Sequence, residues 1–408
     1  MGGRTGDLIF DWNAPGTRRL APRRLVQVND ETLRDGLQSP SVVHPPVERK
    51  VAILHLMDRL GIHGANIGYP AASRHALNDV VVLAREIRDA RLRIRPNCAG
   101  RTAEADIAPI AEAQQRAGVG IDAAIFLGSS PIRQYVEDWD LEFLLRTTEA
   151  AVRFARRCGL EVMFVTEDTT RARPAHLRRI YRAAVDAGAA RVCLADTVGH
   201  ATPWGTARLV RYMRRVLGDD VLLDWHGHRD RGLDVINSLV AAGAGADRLH
   251  GCALGIGERV GNTSMELLLV NLVLLGWLEA DLRALPEYCR VVAEAVGLPV
   301  LPNTPVVGKD AFETSTGVHA AAVRKAMHKG DHWLANRVYS GVPAEAVGRE
   351  QVITIGPMSG QANVLWWCER HGIAPDPHLV ARILDLAKAS HRVLRDEEIL
   401  GLLVAQAS

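Results

Sequence analysis

From about Leu25 to Trp277 the chain repeats one unit: a short apolar run, a turn, then a longer stretch with apolar residues three and four apart. This alternation constrains the fold more than any other feature, because a strand followed by a helix can return only to a neighbouring parallel strand. The apolar runs predict strands at Leu25–Val28, Gly64–Ile67, Leu92–Arg95, Ile121–Phe126, Glu161–Val165, Arg191–Leu194, Val221–Trp225 and Asp247–His250. Between them, Val47–Leu60 shows the helical spacing, with Val51, Leu54, Met57 and Leu60 on one side. Gly61 and Gly188 stand where helices should stop. Eight such units in series are what a (β/α)8 TIM barrel requires, and a doubly wound open sheet would show fewer strands. From about Glu279 the pattern is helical only, broken by Gly and Pro at Leu298–Gly308 and Gly341–Gly348. The expected division is a lead over 1–24, a catalytic barrel over 25–283 and helical C-terminal subdomains over 284–408.

Composition excludes several other classes. Of 408 residues 48% are hydrophobic and 24% charged, so wholesale disorder is ruled out. The formal net charge of +2 argues against binding nucleic acid by bulk charge. The six cysteines form no CxxC pair, which fits a reducing, cytoplasmic setting rather than a disulfide scaffold or zinc knot. No apolar run of about 18 residues is present, so no membrane span is expected. Residues 1–24 lack the apolar core of a secretory signal.

In a TIM barrel the chemistry lies at the C-terminal strand ends. The seventh strand runs out into Asp224-Trp225-His226-Gly227-His228. Residues i and i+2 of a strand share a face, so His226 and His228 aim together at the barrel mouth. Two imidazoles on one side make half of a divalent metal site, and equally a hydrogen-bonded pair without metal. After the first strand, Asn29-Asp30-Glu31-Thr32-Leu33-Arg34-Asp35-Gly36-Leu37-Gln38 is dense in charge. Asp35 could complete a set of two histidines and one carboxylate, and Arg34 could bind an oxygen on which charge develops. A surface ion pair is the commoner meaning of such an Arg-Asp pair. After the eighth strand, Gly255-Ile256-Gly257-Glu258-Arg259-Val260-Gly261 has the spacing GxGxxxG and stands late in the barrel, so it is not a dinucleotide fingerprint. It reads as a turn that brings backbone close to a ligand. Cys252 reads as a buried, inert thiol.

Taken together, Thr32-Leu33-Arg34-Asp35-Gly36, His226-Gly227-His228 and Gly255–Asn262 resemble the metal-dependent acyl-CoA Claisen condensing enzymes. That group contains 2-isopropylmalate and homocitrate synthases, with hydroxymethylglutaryl-CoA lyase a more distant relative. Gly68-Tyr69-Pro70, Ser130-Pro131-Ile132, Glu167-Asp168-Thr169, Ala195-Asp196-Thr197, Ser315-Thr316-Gly317-Val318-His319 and Tyr339-Ser340-Gly341 extend the likeness over about residues 25–400. The resemblance implies a divalent metal (Mg, Mn or Zn) held by Asp35, His226, His228 and Asn262. It implies condensation of acetyl-CoA with a 2-oxo acid, followed by thioester hydrolysis. Arg34 would stabilise the developing alkoxide, and His319 and Tyr339 would belong to the acid–base machinery, donated by the partner in a homodimer. Glu258 and Glu167 match acidic positions that orient the base or pair with an arginine. Gln38, Arg101, Arg133 and Thr197 fall at substrate-binding positions. The presence of the His319 and Tyr339 region favours a synthase over a lyase. The ending near Ser408 leaves no leucine-binding domain, so no feedback inhibition by leucine is expected.

Three positions depart from the family pattern. Asn66 stands where the synthases carry Glu, Arg133 where isopropylmalate synthases carry His, and Val165-Thr166 where Ser-Pro is usual. With 2-oxoisovalerate as first candidate acceptor, the reaction is the one that opens leucine synthesis. An Arg133 facing the acceptor would instead suit a second anion, as in 2-oxoglutarate, oxaloacetate or a phosphonopyruvate-like acid. Paired with Glu137, it would leave the pocket apolar. A lyase or aldolase on the same barrel, and a non-catalytic paralogue, are the remaining readings.

Overall fold

The computed structural model describes residues 8–10 and 21–404. Most of the expected lead, 1–24, therefore lies outside the described residues. Eight parallel strands close into a barrel in sequence order: β1 (Gln27–Asp30), β2 (Gly64–Asn66), β3 (Arg95–Arg101), β4 (Asp122–Gly128), β5 (Val162–Glu167), β6 (Arg191–Asp196), β7 (Leu222–Gly227) and β8 (Arg248–Gly251). Closure is made by β1 on β8, with Asn29 opposite His250 and Asp30 opposite Gly251. The fold is the expected (β/α)8 TIM barrel with a helical C-terminal region.

Most strands run one or two residues further toward the barrel mouth than their apolar runs suggest. The largest difference is β3, expected over Leu92–Arg95 and found over Arg95–Arg101. Its residues, Arg-Pro-Asn-Cys-Ala-Gly-Arg, include a proline that cannot donate to a ladder and few β-formers. Barrel closure gives them pairing partners on both sides, which overrides local propensity.

The outer helices follow their patterns. Val47–Arg59 buries Ile53, Leu54, Leu56 and Met57. Arg74–Asp89 starts at Ser73, whose hydroxyl accepts from the Ala76 N–H at 3.0 Å, and buries Leu77, Val80, Leu83 and Ile87. At the end of β1, Asp30 accepts hydrogen bonds from the Tyr288 hydroxyl and the Thr32 N–H. Burial raises the Asp30 pKa to about 6.

The chain forms two compact units, and they do not divide at a single point. Among the described residues, the first holds those up to 280 and 287–299, the second 281–286 and those from 300 on. The helix Leu285–Val296 supplies Tyr288, Cys289, Val292 and Val296, all fully buried, and Tyr288 anchors it to β1. Glu287–Pro299 thus packs with the barrel, although it lies beyond residue 283. In the second unit, Val364, Trp367, Leu379, Ile383 and Ile399 form a core between the helices Gln361–Arg370, Pro377–Ala389 and Asp396–Val404. Glu313–Thr314 and Val352–Ile353 pair as a two-residue parallel sheet, too short to leave a period in the sequence. No described helix is long and apolar enough to cross a membrane.

Candidate active site at the barrel mouth

His226 ends in the mouth of β7 and His228 follows it. Their Nε2 atoms lie 3.2 Å apart and face the Asp35 Oδ2 at 3.6 and 3.9 Å. Asp35 comes from the turn after β1, so barrel closure delivers the third member of the cluster. Asn262 donates from Nδ2 to the Asp35 Oδ1 at 3.0 Å and to the Ile256 carbonyl at 3.2 Å, and its Oδ1 is buried with no partner. Burial lowers the His226 pKa to about 3 and also lowers that of His228, so both rings are neutral at pH 7. Burial opposes the charge on Asp35, but Arg34 and the two histidines outweigh it and hold its pKa well below the usual carboxylate range. Two neutral imidazoles, an ionised carboxylate and a spare amide oxygen are the ligand chemistry of a divalent cation, and these residues fit one.

Glycine makes this approach possible. A Cβ on Gly257, whose φ is +145°, would lie 2.1 Å from the Asn262 Nδ2 and 3.3 Å from the Asp35 Oδ1. A Cβ on Gly261, φ +106°, would sit 1.8 Å from the Gly255 carbonyl oxygen. The glycines let the loop fold tightly over Asp35. Gly257→Ala is expected to weaken divalent-metal binding ~10- to 100-fold by displacing Asn262, measured by equilibrium dialysis of the folded variant.

Arg34 stands beside the cluster. It donates from one Nη to the Asp35 Oδ2 at 2.8 Å and from the other to Glu31, while its Nε is buried without a partner. Burial opposes its charge, but Glu31 and Asp35 more than offset this and raise its pKa further. Glu31 is itself held down at about 2; burial works against its ionisation, and Arg34 and His250 overcome that.

A cavity of about 280 Å³ opens over these groups. Its wall includes Arg34, Asp35, Gln38, Glu167, Thr197, His226, His228 and Glu258. Toward β3, β4 and β5 it is largely apolar, with Ala99, Ala124, Phe126, Met163 and Val165. The carboxylate of Glu167, the last residue of β5, takes no hydrogen bond or ion pair with any described residue, and burial raises its pKa. The next residue, Asp168, adopts a left-handed φ of 57° and is clamped by the Thr197 hydroxyl and by Arg171. Glu258 lies on the exposed stretch of the glycine loop.

The other expected site residues fall elsewhere. Arg101 pairs through two nitrogens with Asp106, which also accepts from the Tyr69 hydroxyl, and it is not among the residues lining the cavity. Arg133 pairs with Glu137 at 2.7 Å, stands over the Trp139 ring and also lies off the cavity wall. In the second unit His319 stacks on Tyr339, ring centroids 4.0 Å apart. Cys252 is buried, which pushes its thiol well up in pKa. Glu31 and His250 were not singled out as site residues from the sequence. The position of His250, last in the eighth expected strand, is the signal that would have marked it.

A closed (β/α)8 barrel with two histidines and a carboxylate converging at its mouth defines the structural class. The chain belongs to the HMGL-like family, whose model matches residues 25–292. A homocitrate synthase of Methanopyrus kandleri is 33% identical over 368 residues, 89% of this chain and 87% of that one. A probable 2-isopropylmalate synthase of Ignicoccus hospitalis is 32% identical over 369 residues, again 89% and 87%. The crystal structure of the Bacillus subtilis HMG-CoA lyase shares the fold, with a TM-score of 0.59 over 69% of this chain and 97% of that one at 18% identity.

Proposed function

We infer that this protein is an acyltransferase that condenses acetyl-CoA with a 2-oxo acid and hydrolyses the thioester, as the names of its synthase relatives suggest. The observation that carries the reading is the convergence of Asp35, His226 and His228 beside Arg34, under a cavity that also holds the uncommitted carboxylate of Glu167. Asp35, His226, His228 and Asn262 would hold the cation. When bound there, it supplies Lewis-acid polarisation of the acceptor's ketone.

The chain's own residues supply the rest. Arg34 lines the cavity, and the Nη that donates to Glu31 has a second N–H to receive the ketone oxygen as it becomes an alkoxide. Glu167 stands ready to take a proton from the acetyl methyl group, because its raised pKa makes it a stronger base than an ordinary glutamate. Thr197 fixes the backbone after Glu167. His319 and Tyr339, stacked on each other, are the further acid–base pair of this reading, placed in a partner's site within a homodimer.

The apolar wall favours a short, singly anionic acceptor, with 2-oxoisovalerate the first to test. The cations near the pocket are committed: Arg133 to Glu137, Arg259 to Asp230, and Arg34 to Glu31 and Asp35. The experiment is a thiol-release assay with acetyl-CoA against a panel of 2-oxo acids, with and without EDTA and added metal. Release with 2-oxoisovalerate above 2-oxoglutarate is expected, and no release with any acid would end the reading. Arg133→Ala is expected to leave acceptor selectivity as it was. It should move the acid limb of the pH profile upward, since Arg133 favours ionised Glu167. Turnover lost with dianionic acceptors alone would instead place a substrate anion on Arg133.

A further inference from the structure

A continuous line of ionic contacts runs from the barrel floor to Arg34. Asp224 of β7 accepts from Arg191 and from the Arg248 Nε at 2.7 Å. Its Oδ2 also faces the His250 Nε2 at 2.9 Å. The other ring nitrogen of His250, Nδ1, lies 3.0 Å from the Glu31 Oε1. The same Glu31 oxygen accepts from the Asn29 Nδ2 at 2.7 Å, and Oε2 holds the Arg34 guanidinium. Asp224, Glu31 and His250 are each 3% exposed or less. Carboxylate oxygens only accept, so His250 donates at both ends and every group on the line has one orientation available to it.

We propose that His250 and Glu31 are positioning residues that aim the Arg34 guanidinium at the reacting ketone oxygen. Arg34 sits on a turn, outside the ladder, and a five-donor group on a long stem has many rotamers to lose. Glu31 grips one Nη and Asp35 the other, which fixes the plane of the guanidinium. Glu31 is held in turn by Asn29 and His250, and His250 by Asp224, so the guanidinium is referred back to three strands of the barrel. Supports of this kind commonly decide whether a site is correctly aimed or an ångström loose. A purely structural role would need only that the buried charges be matched. Here the line ends on the guanidinium that pairs with Asp35, and among the described residues Glu31 makes no ion pair beyond Arg34 and His250.

The test uses two isosteric substitutions with different reach. His250→Asn keeps an N–H at the Nδ1 position, toward Glu31, and His250→Gln keeps one at Nε2, toward Asp224. The aiming role predicts that H250N retains most of its kcat, while H250Q loses ~10- to 100-fold in kcat with the KM for acetyl-CoA little changed. In an Arg34→Ala background the difference between H250N and H250Q should vanish, because the two positions then act as one unit. Equal losses in both variants, or losses that persist without Arg34, would overturn the proposal. The kinetic arm rests on the reaction inferred above. Calorimetric binding of 2-oxoisovalerate and of oxalate to the metal-loaded protein does not need turnover. There H250Q and Arg34→Ala should weaken binding to the same extent, singly or together. Should no acid release CoA, the reaction falls while this binding cycle still decides the aiming role; weakening that adds in the double variant would overturn it.

Discussion

His226→Ala is expected to reduce CoA release by at least ~10³-fold, the scale of losing several kcal/mol of charge stabilisation. The imidazole has no substitute nearby. His228 lies 3.2 Å away, and His250 is committed to Glu31 and Asp224. Removing one of three converging ligand atoms leaves an incomplete set, so added metal should bind weakly even at high concentration. Direct measurement of bound Mn by electron paramagnetic resonance, beside the turnover assay, checks both halves. Metal retained at wild-type stoichiometry in H226A would show that the cluster is not the cation site. Chelation of the unaltered protein should give the same loss, reversed on adding metal back.

Glu167→Gln is expected to cost ~10²- to 10⁴-fold in kcat, the usual contribution of a positioned base. The amide keeps the shape and loses the basicity. The ionised form is the active one, and burial raises its pKa, so the acid limb of kcat/KM should lie above the range of an ordinary glutamate. Activity falls as pH drops through that limb. In E167Q the limb should disappear from the residual rate. Exchange of the acetyl methyl protons with deuterated solvent, followed by NMR, reads the proton transfer apart from condensation. If E167Q exchanges as fast as the parent, the base is another group, with His319 the next to substitute. Glu258, on the exposed part of its loop, should be far less sensitive.

Much of this site was legible because its parts are local. The i, i+2 spacing of His226 and His228 needs only a strand, and β7 with the residue that follows it places both at the mouth. Arg34 and Asp35 needed only the rule that barrel chemistry follows the strands. The strand ends were harder to read. Asn29, Asp30, Glu167, Asp196 and His226 are polar residues with weak strand signals, yet each lies within its strand, because neighbouring strands in a closed barrel satisfy its backbone. The residues that carry chemistry are thus the ones that disguise the element holding them.

Arg133 shows the opposite limit. Its position after Ser130-Pro131-Ile132 suggested either a substrate anion or a bond to Glu137. One helical turn, Pro131–Val136, puts Glu137 within 2.7 Å of it, and no reading of residue types alone could choose.

By itself the sequence determined the eight-fold alternation, and with it a barrel whose active face lies at the strand ends. It also determined the two histidines and the carboxylate. Those are properties of short stretches and of chain order. Only the tertiary structure decided that His250 reaches Glu31, that Glu31 grips Arg34, and that Asn262 folds over Asp35. The reason is closure: β1 pairs with β8, bringing Asn29 opposite His250 across almost the whole barrel sequence. Contacts between the two ends of a closed sheet have no period and no spacing to betray them.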